Sequence, residues 1–211
     1  MENKIQEIKT GTTTVGIVCK DAVVLAADKK STMGFLVASK DTEKILQLDD
    51  HIAMTTAGVS GDTQALHRYI RAELKLYKLK EERRIPVEAA ANLIANILYA
   101  RRFYPYIVQL IVGGYDTQPR LYSFDMAGAI QEEKEYFSTG SGSPTAFGVL
   151  EDKYQPDMSV EEAKKLAVRA VRAATKRDVA SGGRGIDVVV IDKEGFHRVP
   201  ENEVKKLEES E

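Results

Sequence analysis

Cysteine is almost absent from this chain of 211 residues: Cys19 stands alone, so no disulfide can close within it. Histidine is scarce too. No two of His51, His67 and His197 have metal-ligand spacing, and neither HExxH nor a paired-cysteine motif occurs. No GxxxxGK[ST] loop is present to cradle a nucleotide phosphate, and no GxSxG turn to present a catalytic serine. Neither sign of charge dominates. The 30 Lys and Arg are met by 32 Asp and Glu, which argues against nucleic acid or an anionic membrane as partner. No apolar run approaches the roughly 20 residues that cross a bilayer. The opening "MENKIQEIKTG" lacks the apolar core of a secretory signal. A reducing, cytoplasmic setting is the default.

What the chain does contain is apolar material, 43% of residues, enough for one large single-core domain. No repeat, low-complexity tract or linker divides it. "TTTVGIVC", "AVVLAAD", "KILQL" and "HIAMTTAG" read as strands, being apolar and rich in β-branched residues. The period then becomes helical from Asp62 to Leu79, with Leu66, Tyr69, Ile70, Leu74 and Tyr77 on the apolar face. A second helix follows Pro86, carried by Val87, Ala90, Ile94, Ile97 and Leu98. Strands resume at "IVQLIVGG", "PRLYSF" and "EYFSTG". A short helix is expected after Ser143-Pro144, and a longer one from Ser159, where Ser159 and Glu162 form a capping-box pattern. Its apolar face is Val160, Ala163, Ala167, Ala170, Val171 and Ala174. "IDVVVI" is a strand, and "ENEVKKLEESE" a charged helix or tail. Strands, two helices, strands, two helices and a strand predict an α+β fold, which two sheets covered by helices would satisfy.

With metal chemistry and a serine triad of the usual type unsupported, threonine remains. The stretch "KTGTTTVGIV" sets three threonines behind a single glycine. A threonine hydroxyl is a poor nucleophile unless a base stands beside it. A chain-terminal threonine carries that base itself, as an α-amine of pKa about 7.7–8.0. In the uncut chain the nitrogen of Thr12 is an amide, so this chemistry requires cleavage between Gly11 and Thr12. Gly11 suits the cut because it lacks a Cβ and tolerates a tight backbone. Taken one at a time, the same residues read differently: Thr12 as a strand residue, Lys44 as solvated, Asp28 as a turn former, "TGSGS" as a flexible loop.

Taken jointly they do not. From Thr12 onward, "GTTTVGI", "AVVLAAD", "AGVSGD", "STGSGSP", "RDVASGG" and "IDVVVI" occur in the order and spacing of one family. The chain resembles the catalytic β-subunits of the proteasome, in particular the archaeal type. The resemblance implies the N-terminal-nucleophile hydrolase fold, a four-layer αββα sandwich of two antiparallel sheets flanked by helices. It implies removal of residues 1–11 as a propeptide and a single catalytic domain over 12–211. Thr12 then corresponds to the nucleophile, Lys44 to the catalytic lysine and Asp28 to its acidic partner. Ser141, Asp178 and Ser181 correspond to the group around the terminal amine, and Gly58 to the glycine whose N–H faces the oxyanion. Ser31, Thr42, Leu46, Thr56, Ser60 and Gln64 match the specificity pocket, and several of them are hydroxylated rather than apolar.

The implied reaction is hydrolysis of peptide bonds in unfolded proteins, without metal or organic cofactor. The implied partners are further β-subunits in a seven-membered ring stacked on a second, flanking α-subunit rings, and an unfolding ATPase acting through them. A catalytically silent ring subunit is the alternative. The bacterial two-ring relative and a small-amide hydrolase with a terminal threonine are further rivals.

Overall fold

The structure is a computed structural model and describes residues 11–209; segment 1–10 of the expected propeptide lies outside the described residues. Twelve strands and five helices follow one another in the described residues. The first sheet contains β1 (Thr14–Val18), β2 (Ala22–Asp28), β10 (Tyr136–Thr139), β11 (Ile186–Asp192) and β12 (Gly195–Arg198), in the order β10-β1-β2-β11-β12. The second contains β5 (Ile45–Asp49), β6 (Ile52–Gly58), β7 (Val108–Tyr115), β8 (Pro119–Phe124) and β9 (Ile130–Glu133), in chain order. Every pairing is antiparallel. A small hairpin, β3 (Ser31–Met33) with β4 (Leu36–Ser39), stands apart.

The layering follows from the two-residue period of the strands. In β2, Val24 and Ala26 point to one apolar layer while Val23, Leu25 and Ala27 point to another. Strand β11 divides likewise: Val188 and Val190 one way, Val189 and Ile191 the other. One layer lies under α3 (Ser143–Lys153), α4 (Val160–Thr175) and α5 (Glu201–Glu209), with Ala146, Ala163, Ala167 and Leu207 in it. Another is the seam between the sheets, where Val23, Leu25 and Val189 meet Ala53, Ile111 and Leu121. The third lies between the second sheet and helices α1 (Ser60–Glu81) and α2 (Val87–Ala100). The architecture is thus the expected αββα sandwich. Its interior is three apolar layers rather than one core, because each sheet buries both faces.

The helices follow their periodicity with one correction. Leu66, Ile70 and Leu74 are buried, but Tyr69 is 49% exposed. Row i, i+4, i+8 makes the contact, and Tyr69 lies about 100° round from it. In α4 the capping box forms on both sides: Ser159 Oγ accepts from Glu162 N–H, and Glu162 accepts from Ser159 N–H. The C-terminal segment is a helix, anchored by Val204 and Leu207. Strands β3, β4, β9 and β12 carry no pattern the sequence reading caught. Each is only three or four residues long and lies in a separate hairpin or at a sheet edge.

Candidate active site

Antiparallel register brings four distant chain segments to one corner of the first sheet. Thr14 pairs with Ala27 on one side and Thr139 on the other, and Ile186 pairs with Asp28. The start of β1, the end of β2, the turn after β10 and the loop before β11 therefore converge. The second sheet adds Lys44, just before β5, and Gly58, the last residue of β6.

The three threonines have three separate surroundings. Thr12 is buried at the cleft, where its hydroxyl donates to Gly11 O at 2.5 Å. Thr13 Oγ1 lies 2.7 Å from Ser181 Oγ, and Thr14 Oγ1 lies 2.6 Å from Thr139 Oγ1. The backbone N–H of Thr12 donates to Ser141 Oγ at 3.2 Å. Ser141 in turn donates to Asp178 at 2.6 Å, and Ser181 donates to the same carboxylate oxygen at 2.5 Å. Since Ser181 has one proton and gives it to Asp178, Thr13 is the donor in their contact. Asp178 thus orders two serines, one under the nitrogen of Thr12 and one under Thr13.

Asp28 sits behind Thr13 and is fully buried. Oδ1 accepts from Lys44 Nζ at 2.7 Å and from Thr13 N–H at 2.9 Å. Oδ2 accepts from Gly182 N–H at 2.8 Å and Lys30 N–H at 3.1 Å. Burial pushes the Lys44 ammonium below the usual lysine range, and the charge and hydrogen bond of Asp28 oppose that push.

Three glycines shape the corner. A Cβ on Gly11 would stand 1.7 Å from Ala180 Cβ. The sequence reading ascribed Gly11 to a tight backbone; the structure adds a side-chain neighbour that leaves no room. Gly58 has φ +134° and would place a Cβ 2.2 Å from Ile107 O, and Gly140 has φ +92° and would meet Thr12 O at 2.1 Å. Neither position accepts another residue without moving backbone.

A cleft of about 320 Å³ opens over Thr12. Gly11, Thr12, Lys44 and Gly58 line it, and so do all six expected pocket residues, Ser31, Thr42, Leu46, Thr56, Ser60 and Gln64. Asp28, Ser141, Asp178 and Ser181 are not in its wall and stand behind or beside it. The N-terminus of α1 contributes Ser60, Thr63 and Gln64, so the positive end of its dipole faces the cleft. A larger hollow of about 710 Å³ runs along the outside of α1 near Asp49 and Lys78 and contains none of these groups. Among the described residues no cluster of His, Cys, Asp and Glu is arranged to hold a metal, and no helix is long and apolar enough to cross a membrane.

The sequence reading passed over several residues in this corner. Lys30 lines the cleft, and its Nζ donates to Val179 O at 2.6 Å and Ser181 O at 3.2 Å, tying down the loop that carries Ser181. Thr13 and Glu43 were also not singled out. The only available signal was the charged run after Asp28, which reads equally as a solvated turn.

Comparison with known proteins gives the family. The sequence model of the family described as "Proteasome subunit" matches residues 8–191. The chain is 50% identical to "Proteasome subunit beta" of Archaeoglobus profundus, over 98% of this chain and 97% of that one. It is 54% identical to "Proteasome subunit beta 2" of Ignicoccus hospitalis, covering 93% and 92% of the two chains. With "Proteasome subunit beta 2" of Aeropyrum pernix it shares 52% over 90% of this chain and 85% of that one.

Proposed function

The chain belongs to the proteasome family as a β-type subunit, and from that premise we propose that it is a catalytic one, a threonine peptidase whose nucleophile is Thr12. Membership alone gives a subunit of the ring-forming core particle in a peptidase family. The observation that carries the finer reading is the placement of Thr12, with its hydroxyl in the cleft and its nitrogen on the Ser141–Asp178 relay.

In the uncut chain the Thr12 hydroxyl rests on the carbonyl of Gly11, the group it would attack. Addition of Oγ to that carbon and loss of the Thr12 nitrogen would give an ester. Water would then release Gly11 as a carboxylate and leave Thr12 with a free amine. With a pKa of about 7.7–8.0, that amine accepts the hydroxyl proton near neutrality. Attack on a substrate carbonyl forms an acyl ester on Oγ, the amine passes its proton to the leaving nitrogen, and water regenerates Thr12.

Lys44 acts on the hydroxyl through its charge, which Asp28 sustains against burial. The Gly58 backbone and the N-terminus of α1 face the site where the oxyanion develops. On the same premise, residues 1–11 leave as a propeptide. The particle is two stacked seven-membered β-rings between α-rings, supplied with unfolded protein by an ATPase in the cytoplasm.

N-terminal sequencing of the assembled particle, with a peptidase assay on the same sample, tests the reading. The sequence is expected to begin at Thr12, and Thr12→Ala to keep its leader and lose activity. Full activity from chains that begin at Met1 would overturn it, since the amine base would be missing. A particle that keeps its leader and lacks activity would favour the silent subunit.

A further inference from the structure

Lys44 reaches Asp28 from a loop without regular structure, residues 40–44, between the hairpin β3–β4 and β5. A long, charged side chain buried at the end of an irregular loop has a better-solvated alternative outside, so its backbone must be held. Backbone bonds hold its two ends, Arg184 N–H to Lys40 O at 2.8 Å and Thr56 N–H to Lys44 O at 3.0 Å. Between them two cations grip the side chains of the loop, and both meet at one carboxylate.

Arg198, the last residue of β12, crosses from the first sheet to the second. One guanidinium nitrogen pairs with the Glu43 carboxylate and lies 3.4 Å from Ile45 O. Those are the residues on either side of Lys44. Another nitrogen lies 3.6 Å from Asp187 Oδ2. The other oxygen of Asp187 is 3.3 Å from Lys29 Nζ, and Lys29 also pairs with Asp41 at 3.1 Å and Glu201 at 3.3 Å. Lys29 O accepts the Thr42 N–H at 2.8 Å. The loop is therefore gripped at Asp41 by Lys29 and at Glu43 by Arg198, and both grips are anchored on Asp187. Lys29 and Asp187 are nearly buried, 11% and 12% exposed in their side chains, so the anchor is not a loose surface pair, although Asp41 and Glu43, which the two cations grip, face solvent. Asp187 lies on β11, next to the residue that pairs with Asp28. The frame is thus fixed to the strands that carry the partner of Lys44.

We propose that Arg198, seated on Asp187, is a positioning residue for Lys44, and that Lys29 braces the same loop from its other end. The frame sets where the ammonium stands relative to Asp28, and through it the charge that the Thr12 hydroxyl meets. This inference rests on the reading of Lys44 as a working group of the peptidase. A planar fork is required at position 198, because one side chain must serve Glu43, a backbone carbonyl and Asp187 at once; lysine offers only a point charge.

The test uses assembled particle carrying Arg198→Gln, Arg198→Lys or Glu43→Gln. The last is the mild variant, since the Glu43 side chain is 55% exposed. Lysine amines are labelled competitively with a small acylating reagent across pH, and the Lys44 peptide is followed by mass spectrometry. The charged groups that act most strongly on Lys44 are Asp28, Asp178 and Lys30, and none of these three is altered. Glu43 and Arg198 carry opposite charges, so their loss acting through space alone would move the midpoint in opposite directions, whereas release of the ammonium moves it upward in both. Both neutralising variants are expected to move the Lys44 labelling midpoint upward, toward that of an ordinary lysine, as water reaches the released ammonium. On a fluorogenic peptide, kcat is expected to fall about tenfold to a hundredfold while KM changes by no more than about twofold. Arg198→Lys should lie between. An unmoved Lys44 midpoint in both Arg198→Gln and Glu43→Gln overturns the proposal, whatever the activity. A shifted midpoint in a particle with no wild-type peptidase activity sustains the brace and instead overturns the functional reading.

Discussion

Asp28→Asn is the sharpest single perturbation of the site, because the carboxylate is fully buried and every contact it makes is as an acceptor. Four donors point at it: Lys44 Nζ, and the backbone N–H groups of Thr13, Lys30 and Gly182. An asparagine amide offers one oxygen and one NH2. Facing its oxygen toward the ammonium and Thr13 turns its NH2 against the amides of Lys30 and Gly182, and the opposite flip strands the ammonium. The first flip is the cheaper, and it leaves two donors unmatched at about 1–3 kcal/mol each. Breaking a buried ion pair from one side costs about 3–5 kcal/mol, a similar size. For a chain of this length that amounts to a fall in melting temperature of about 6–20 °C, at about 2–4 °C per kcal/mol. Calorimetry of wild-type and variant particle at one concentration measures it. The double variant Asp28→Asn/Lys44→Met should recover part of the loss, since no charge is then left unpaired. Activity should weaken as well, since Gly182 follows Ser181 and its release loosens the group around the Thr12 nitrogen. A melting point within about 1 °C of wild type, or strict additivity in the double variant, would refute the reasoning.

Two further outcomes follow from the same geometry. Burial holds Lys44 below the lysine value of the unfolded chain, about 10.4, so between those two values the unfolded chain binds more protons and stability rises with pH. Below the folded value both states are protonated and the burial penalty is present in full. Urea titrations from neutral to alkaline pH should show Lys44→Met lacking that rise, and identical slopes for the two proteins would refute it. In the cleft, Leu46 is the one aliphatic member of the six pocket residues. Wild type is therefore expected to cut broadly, after apolar residues first, and Thr56→Ile to raise the apolar preference by about tenfold. A peptide library reads this out, and wild-type cleavage almost wholly after acidic residues would show that the pocket has been misassigned.

What the sequence made legible and what it did not divide along a physical line. The long helices were readable because their burial is periodic and the central strands because theirs is nearly unbroken: α2 is buried at every residue named for its apolar face, and β2 at every position. Strands β3, β4, β9 and β12 were not, since three or four mostly exposed or half-exposed residues carry no period. The candidate site was readable only through resemblance. Thr12, Asp28, Ser141 and Asp178 have no local pattern in common; the register of four strands joins them, and the second sheet brings Lys44. Arg198 marks the limit of that route. In "GFHRVP" it is an unremarkable cation, and it gains meaning only because β12 lies beside β11 and faces the loop before β5. A family motif records the groups gathered at the candidate site. It is silent about a side chain on the far sheet that decides where one of those groups stands. Residues of that second kind are found by following each buried charge outward: from Lys44 to Asp28, along β11 to Asp187, and from there to both ends of the loop that delivers the lysine.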